Sequence, residues 1–471
     1  MPSARLRACA LVAFGACIAI GAACSASSSS SSGEGPTTTD GERSDASNVE
    51  TPPPLTDGGD SAAPPEDDHR LSPSFVHYDI NHVLGTGQSL SVGSVGTPPL
   101  TLTQPYDNLS FVTGVMTEAT GLTSFIPLVE GDLCTGTTIA VETMSSGMAN
   151  LVTKMARESL LVDQPAGKTS HDLLVSVHGL GGIAYSGLKK GTSAYATGMA
   201  QVTAGKALTT DAGKSYVVRA VTNVHGESDH VALNANYAAD LAQWQADYEA
   251  DVKALTGQSE PIPMFQTQMS SWTKLGTPLS TTSAIPLAQL AAHVASGGKI
   301  VLVGPKYHLP YAPDGVHLTN VGYRHMGEDY AKAYRRVVME GKPWEPIRPR
   351  TITRKGAVIT VTFHVPSPPL ALDTTRVTDP GNYGFEYVDD SDVTPGIDEI
   401  VVSSADTVTI TLFSAPTGAN ARLRYAYRGI PGAPGGPKTG PRGNLRDSDS
   451  TASRNGDPLY NWCVHFDEPV P

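Results

Sequence analysis

Residues 75–91 read FVHYDINHVLGTGQSLS. A largely apolar run, Phe75–Leu84, passes directly into Gly85-Thr86-Gly87 and then Gln88-Ser89. A short run of this kind, closed by glycine, has the form of a buried parallel strand. Glycines at a strand's end let the chain turn sharply, and a side chain at that turn can be presented together with its own backbone N–H. Ser89 is the serine so placed. It does not lie in a G-x-S-x-G elbow, a pattern that occurs nowhere in the chain.

Working outward, further strand-like runs stand at Asp172–Val177, Tyr216–Val224, Ile262–Gln266 and Lys299–Val303. Helix-period segments separate them: Ser145–Leu160, Leu233–Leu255, Ala284–Ala295 and Val321–Met339. In the second of these, Leu233, Tyr237, Leu241, Trp244, Tyr248 and Val252 recur every three or four residues. Alternation of this kind predicts a doubly wound parallel sheet in an α/β/α arrangement, with ligands bound beyond the carboxyl ends of the strands. From about Arg350 the period falls to two, over Val358–Val365, Glu399–Ser403, Thr407–Phe413 and Arg422–Arg428. That predicts a C-terminal antiparallel β domain of sandwich type. Its role stays open between a packed appendage and a glycan-binding module.

The residues just past the strands carry the chemistry. His178-Gly179-Leu180-Gly181-Gly182 follows the second strand. Its spacing brushes a dinucleotide fingerprint but lacks the acidic residue about 20 positions on, which argues against a nucleotide cofactor. A glycine pair there suits a bare N–H pointing at a substrate oxygen. Asn223-Val224-His225-Gly226-Glu227-Ser228-Asp229 follows the third strand, and Asp314-Gly315-Val316-His317 precedes the last helix. An aspartate three residues before a histidine on one loop can accept from Nδ1–H and leave Nε2 free as a base.

In this order, Gly87-Gln88-Ser89, Gly226-Glu227-Ser228-Asp229 and Asp314-Gly315-Val316-His317-Leu318 resemble the SGNH (GDSL-like) hydrolase superfamily, specifically the sialate O-acetylesterase-like carbohydrate esterases. The resemblance covers roughly residues 75–340. It implies a flavodoxin-like fold and a serine esterase that removes O-acetyl or similar short acyl groups from carbohydrate without metal or cofactor. It implies Ser89 as nucleophile, His317 as general base and Asp314 as its orienter. The N–H groups of Ser89 and Gly182 are implied as oxyanion donors, with Gln88, Glu227 and Asp229 in support. The chain departs from the family where His225 stands in place of glutamine; an imidazole N–H there would be the third oxyanion donor. Two alternatives remain at this stage: a non-catalytic surface glycan-binding protein on an esterase scaffold, and a lipase or thioesterase of the same superfamily.

Arg5 and Arg7 precede 16 apolar residues, Ala8–Ala23, that end in Gly21-Ala22-Ala23-Cys24. This is too short for a comfortable membrane span and reads as a sorting signal. It resembles a bacterial lipoprotein signal with Cys24 lipidated, which implies a membrane-tethered protein of the cell envelope or, failing lipidation, a secreted one. Residues 25–70 carry ten acids and two arginines amid Ser, Pro and Thr, too little apolar surface to fold. The expected organisation is therefore a signal at 1–24, a disordered linker at 25–70, the hydrolase domain at 71–345 and the β domain at 346–471. The net charge of −13 comes with no basic block, which argues against a nucleic-acid surface. Cys134 and Cys463 are either a disulfide or two small buried hydrophobes. Tyr185, Trp272, Tyr307 and Tyr311 are open between stacking on a sugar and packing in the core.

Overall fold

The computed structural model describes residues 69–116, 118–131, 140–160 and 171–471. Cys24, the signal, the linker and Cys134 lie outside these residues, and with them the lipidation site and the pairing of Cys134 with Cys463.

The first sheet contains β1 (Ile80–Gly87), β2 (Leu109–Phe111), β3 (Phe125–Pro127), β4 (Leu173–Val177), β5 (Tyr216–Val224), β6 (Met264–Gln268) and β7 (Ile300–Pro305). Their order is β3-β2-β4-β1-β5-β6-β7. All pairings are parallel except that of β2 with β3, so the parallel sheet carries one antiparallel edge strand. Side chains alternate across a strand. Val83 thus joins the core under α1 (Met144–Met155) and α6 (Asn320–Tyr334). Leu84 joins the core under α2 (Ser193–Asp211), α4 (Tyr237–Thr256) and α5 (Ile285–Ala295). The short α3 (Glu227–Val231) follows β5. This is the doubly wound α/β/α arrangement, with β1 at its centre.

Two departures from the sequence reading have local causes. Helix α2 has no apolar stripe to betray it, because small residues form its packing face. A Cβ at Gly198 would come within 2.6 Å of the His178 ring, and one at Gly205 within 3.0 Å of the Tyr216 hydroxyl. Helix α4 begins at Tyr237 rather than Leu233, which is 84% exposed with φ +53°.

Beyond α6 come β8 (Arg348–Lys355), β9 (Val358–His364), β10 (Ala371–Leu372), β11 (Phe385–Val388), β12 (Ile397–Ser404), β13 (Thr407–Leu412), β14 (Arg422–Tyr425), β15 (Leu445–Arg446) and β16 (Phe466–Pro469). They form antiparallel sheets, of which β12-β13-β9-β8 and β11-β14-β16 are the larger. Ile359, Val361, Val408 and Ile410 from one share a core with Tyr387, Leu423, Tyr425 and Phe466 from the other. Leu290, Leu302 and Tyr307 of the α/β layer belong to the same core, and residues 69–471 form one compact unit. β8 escaped the sequence reading because its side chains are polar and half-exposed; its pairing with β9 places it.

Two buried carboxylates hold the segments behind Ser89. Glu142 accepts from the N–H groups of Leu100 and Thr101, and Glu130 accepts from the Thr143 hydroxyl at 2.7 Å and the Ser146 N–H at 3.3 Å. Burial, with Glu142 nearby, pushes the Glu130 carboxyl from 4.5 up to about 7. Between those values the folded chain keeps a proton that the unfolded chain has lost, so stability falls as pH rises through the window, by about 3 kcal/mol. Glu130→Gln should therefore melt higher than wild type at pH 8, with the gap closing towards pH 5. Thermal scans at the two pH values check this, and equal melting temperatures at pH 8 would contradict it.

Candidate active site

Ser89 stands two residues past β1 because the backbone there can approach β5 closely. Gly87 has φ +125°, and a Cβ on it would come within 2.3 Å of the Val224 carbonyl oxygen. The Gln88 N–H donates to that same carbonyl at 3.1 Å. The glycine thus serves a backbone crossing that no side chain would permit.

The loop between β7 and α6 brings the histidine. Its two arms pair at Tyr311 and Leu318, the Ala312 N–H donates to the His317 carbonyl, and Thr319 caps α6 through the Gly322 N–H. At its tip Asp314 Oδ1 accepts from the N–H groups of Val316 and His317, both at 3.0 Å. Asp314 Oδ2 lies 2.7 Å from His317 Nδ1, and His317 Nε2 lies 2.8 Å from Ser89 Oγ. Because a carboxylate only accepts, Nδ1 carries the proton and Nε2 is left to accept from the serine hydroxyl. Partial burial raises the Asp314 carboxyl, but the Val316 N–H and the His317 imidazole outweigh it, so the net shift is downward from 3.8. Asp314 therefore stays ionised at neutral pH.

The Gly226–Asp229 segment lies beneath. Gly226 has φ +131°. The Ser228 N–H donates to Gln88 Oε1 at 3.0 Å, tying this segment to the serine turn. Asp229 Oδ2 accepts from the Tyr185 N–H at 2.8 Å, tying it to the glycine-rich loop after β4. Glu227 faces inward, 2.7 Å from Lys306 Nζ, and both side chains are almost wholly buried. Burial pushes the Glu227 carboxyl up, and the Lys306 ammonium more than reverses this, leaving it below 4.5. Gln88, Glu227 and Asp229 thus join the ends of β1, β4, β5 and β7, and among the described residues none of them hydrogen-bonds to the Ser89 hydroxyl.

Three backbone N–H groups at and near Ser89 are left without a backbone acceptor. Among the described residues, no carbonyl accepts from the N–H of Ser89, Gly181 or Gly182. The nearer glycine of the pair is Gly181, where a Cβ would lie 3.8 Å from Ser89 Cβ. Gly182 has φ +71° and nothing within 4 Å of the same position.

His225 is not placed as the third oxyanion donor. Its Nε2 lies 3.0 Å from the Ile183 carbonyl, which can only accept, so Nε2 carries the proton. Its Nδ1 lies 2.7 Å from the Tyr237 hydroxyl and accepts from it. Burial lowers the imidazole's proton affinity, so it is neutral and has no N–H to spare. The ring is also packed edge-on against Trp244, fully enclosed. His225 is a strut between β5, α4 and the glycine-rich loop. His225→Ala should lower the melting temperature, since it orphans the buried Tyr237 hydroxyl at about 1–3 kcal/mol. Below its melting point it should lose less than tenfold in kcat, against the roughly 10²–10³ of a lost oxyanion donor. Steady-state kinetics and a thermal scan on one preparation check both statements.

Lys306, the partner of Glu227, also escaped the sequence reading. It directly follows β7 in Gly304-Pro305-Lys306, a strand end where the same rule would have found it. Tyr185, Trp272 and Tyr307 are core residues: the Tyr307 hydroxyl donates to the Cys463 carbonyl, and the Trp272 indole to Thr281. Cys463 itself is a fully buried thiol with no disulfide among the described residues.

No family model and no curated protein matches the sequence. Solved structures do. A carbohydrate acetylesterase from Xanthomonas citri matches with 13% identity over 82% of this chain and 80% of its own, at a TM-score of 0.49. A protein from Arabidopsis thaliana matches with 17% identity over 54% of this chain and 97% of its own, at 0.39. The M. smegmatis aryl esterase matches with 11% identity over 54% of this chain and 98% of its own, at 0.29. The solved structures to which this chain is similar thus include carbohydrate acetylesterases and an aryl esterase.

Proposed function

We propose that the chain is a serine esterase of the SGNH type that removes acetyl groups from carbohydrate. The observation that carries this is the relay Asp314–His317–Ser89, at 2.7 and 2.8 Å. His317 Nε2 takes the proton as Ser89 Oγ attacks the ester carbonyl. The N–H groups of Ser89 and the Gly181-Gly182 pair hold the oxyanion, with Gly181 the better placed. The alcohol leaves with the proton from His317, and water then releases the acyl group from Ser89 by the same path. His225, Gln88, Glu227 and Asp229 hold the loops after β1, β4, β5 and β7 in register.

Carbohydrate as the substrate comes from the sequence resemblance, as does delivery to the cell envelope through the N-terminal signal and Cys24. The test is hydrolysis of 4-nitrophenyl acetate, followed by acetate release from acetylated xylan, pectin and alginate. Activity on the small ester that survives in Ser89→Ala would remove the mechanism. Activity on the small ester with no acetate released from any polysaccharide would remove the substrate class alone.

A further inference from the structure

The chain between β14 and β15 packs against the loop that carries Asp314 and His317. Residues 430–441 read IPGAPGGPKTGP, and eight of these twelve are glycine or proline. As sequence they mark only a turn between strands. In the structure they meet the catalytic loop at its tip. The Gly435 N–H donates to the Gly315 carbonyl at 2.8 Å. Gly315, which has φ +73°, stands between Asp314 and the Val316-His317 pair. Pro434 lies so close that a Cβ on Gly315 would come within 2.6 Å of the Pro434 Cα. Gly435 and Gly436 cover the ring of Tyr311, on the first arm of the same loop. A Cβ on Gly435 would come within 2.7 Å of Tyr311 Cε1 and 3.0 Å of the Gly315 oxygen, and one on Gly436 within 3.0 Å of Tyr311 Cδ2. Glycine backbone lets the two loops close this far.

This segment is itself held from its other side. The Gly432 N–H donates to the Thr273 carbonyl and the Thr273 hydroxyl to the Ala433 carbonyl, both at 2.7 Å. The Gly429 N–H donates to the Thr281 carbonyl at 2.9 Å. Thr273 and Thr281 belong to the chain just past β6, so the segment is pinned between the end of that strand and the catalytic loop. Pro431, Pro434 and Pro437 fix φ and so restrict the conformations it can take. Within the catalytic loop, the Ala312 N–H donates to His317 and the Gly315 N–H to Ala312, which sets the loop's shape. Among the described residues, the Gly435 N–H is the backbone donor that reaches 312–317 from outside that loop.

We propose that Pro434 and Gly435 are positioning residues for catalysis. By fixing the Gly315 peptide they set where the His317 imidazole stands over Ser89, and the β layer is to that extent part of the active site. A displacement of about 1 Å at a reacting group can cost on the order of 10²-fold in rate. The inference rests on the esterase reading.

The test is kcat and KM of the full chain on 4-nitrophenyl acetate, with circular dichroism and a thermal scan on each sample. Gly435→Ala should lose at least tenfold in kcat with KM within threefold of wild type, because its methyl must displace Tyr311 or Gly315. Adding Tyr311→Leu, which removes the atom the methyl meets, should recover at least threefold of that loss. Ile430→Ala, on the same segment but 72% exposed, should match wild type in both constants. Pro434→Gly adds no atom and should lose at least threefold in kcat; it carries the test if Gly435→Ala does not fold. A smaller loss in the folded variant, a double variant no faster than Gly435→Ala, or an equal loss in Ile430→Ala would each overturn the proposal. A wild type that hydrolyses no acetyl ester would remove the esterase reading and this inference with it. An active wild type with unchanged variants would remove this inference alone.

Discussion

Ser89→Ala and His317→Ala are each expected to lower kcat for an acetyl ester by roughly 10⁴- to 10⁶-fold, because nucleophile and base act as one unit. Removing either leaves the oxyanion donors in place, so the residual rate should still exceed that of water. The double variant should be little worse than either single one. Asp314→Asn is expected to cost roughly 10⁴-fold. An amide at that position can donate to Nδ1 and so turn the imidazole to the tautomer whose Nε2–H faces Ser89. The loop should survive, since an asparagine oxygen can still accept from the Val316 and His317 N–H groups. Stopped assays and circular dichroism on the same samples separate lost chemistry from lost fold. Additive losses in the double variant would count against a shared mechanism.

Lys306→Met is expected to destabilise the chain by about 3–5 kcal/mol, since it leaves Glu227 buried without its cation. Methionine keeps most of the volume, so lost charge rather than lost packing dominates. With Lys306 present, Glu227 is held below its usual 4.5, so the pair's contribution is complete above about pH 4.5 and declines as pH falls further. In Lys306→Met the carboxyl should instead hold a proton. The stability gap from wild type should then be widest near pH 7 and narrow towards pH 4. Glu227→Gln on the Lys306→Met background should recover part of the loss, because an uncharged amide is cheaper to bury. Denaturant melts at several pH values check the sign, and a gap independent of pH would assign the loss to packing. Activity should fall alongside, since Glu227 lies beside Ser228, whose N–H meets the Gln88 side chain.

The strands at the heart of the molecule were legible because burial on both faces favours short, largely apolar runs, and Tyr216–Val224 coincides with β5 residue for residue. The order of chemical residues was legible too: Ser89 past β1, the glycines past β4, Gly226–Asp229 past β5 and Asp314-x-x-His317 before α6. These are properties of the chain's local pattern, and a strand end is a local feature. What the tertiary structure decided is which groups meet. Nothing near His225 in sequence indicates that a carbonyl from the loop after β4 would take its proton and Tyr237 occupy its other nitrogen, 12 residues on. Nothing near Gly315 indicates that Pro434, from the β layer, would stand 2.6 Å from where its Cβ would be. Lys306 and Glu227 are 79 residues apart, and only the closeness of β5, β6 and β7 in one sheet makes them a pair. A sequence pattern reports which face of an element is buried. The identity of the neighbour across that face is set by how the strands are ordered, and here that order turns an expected donor into a strut and an overlooked lysine into a buried counter-ion.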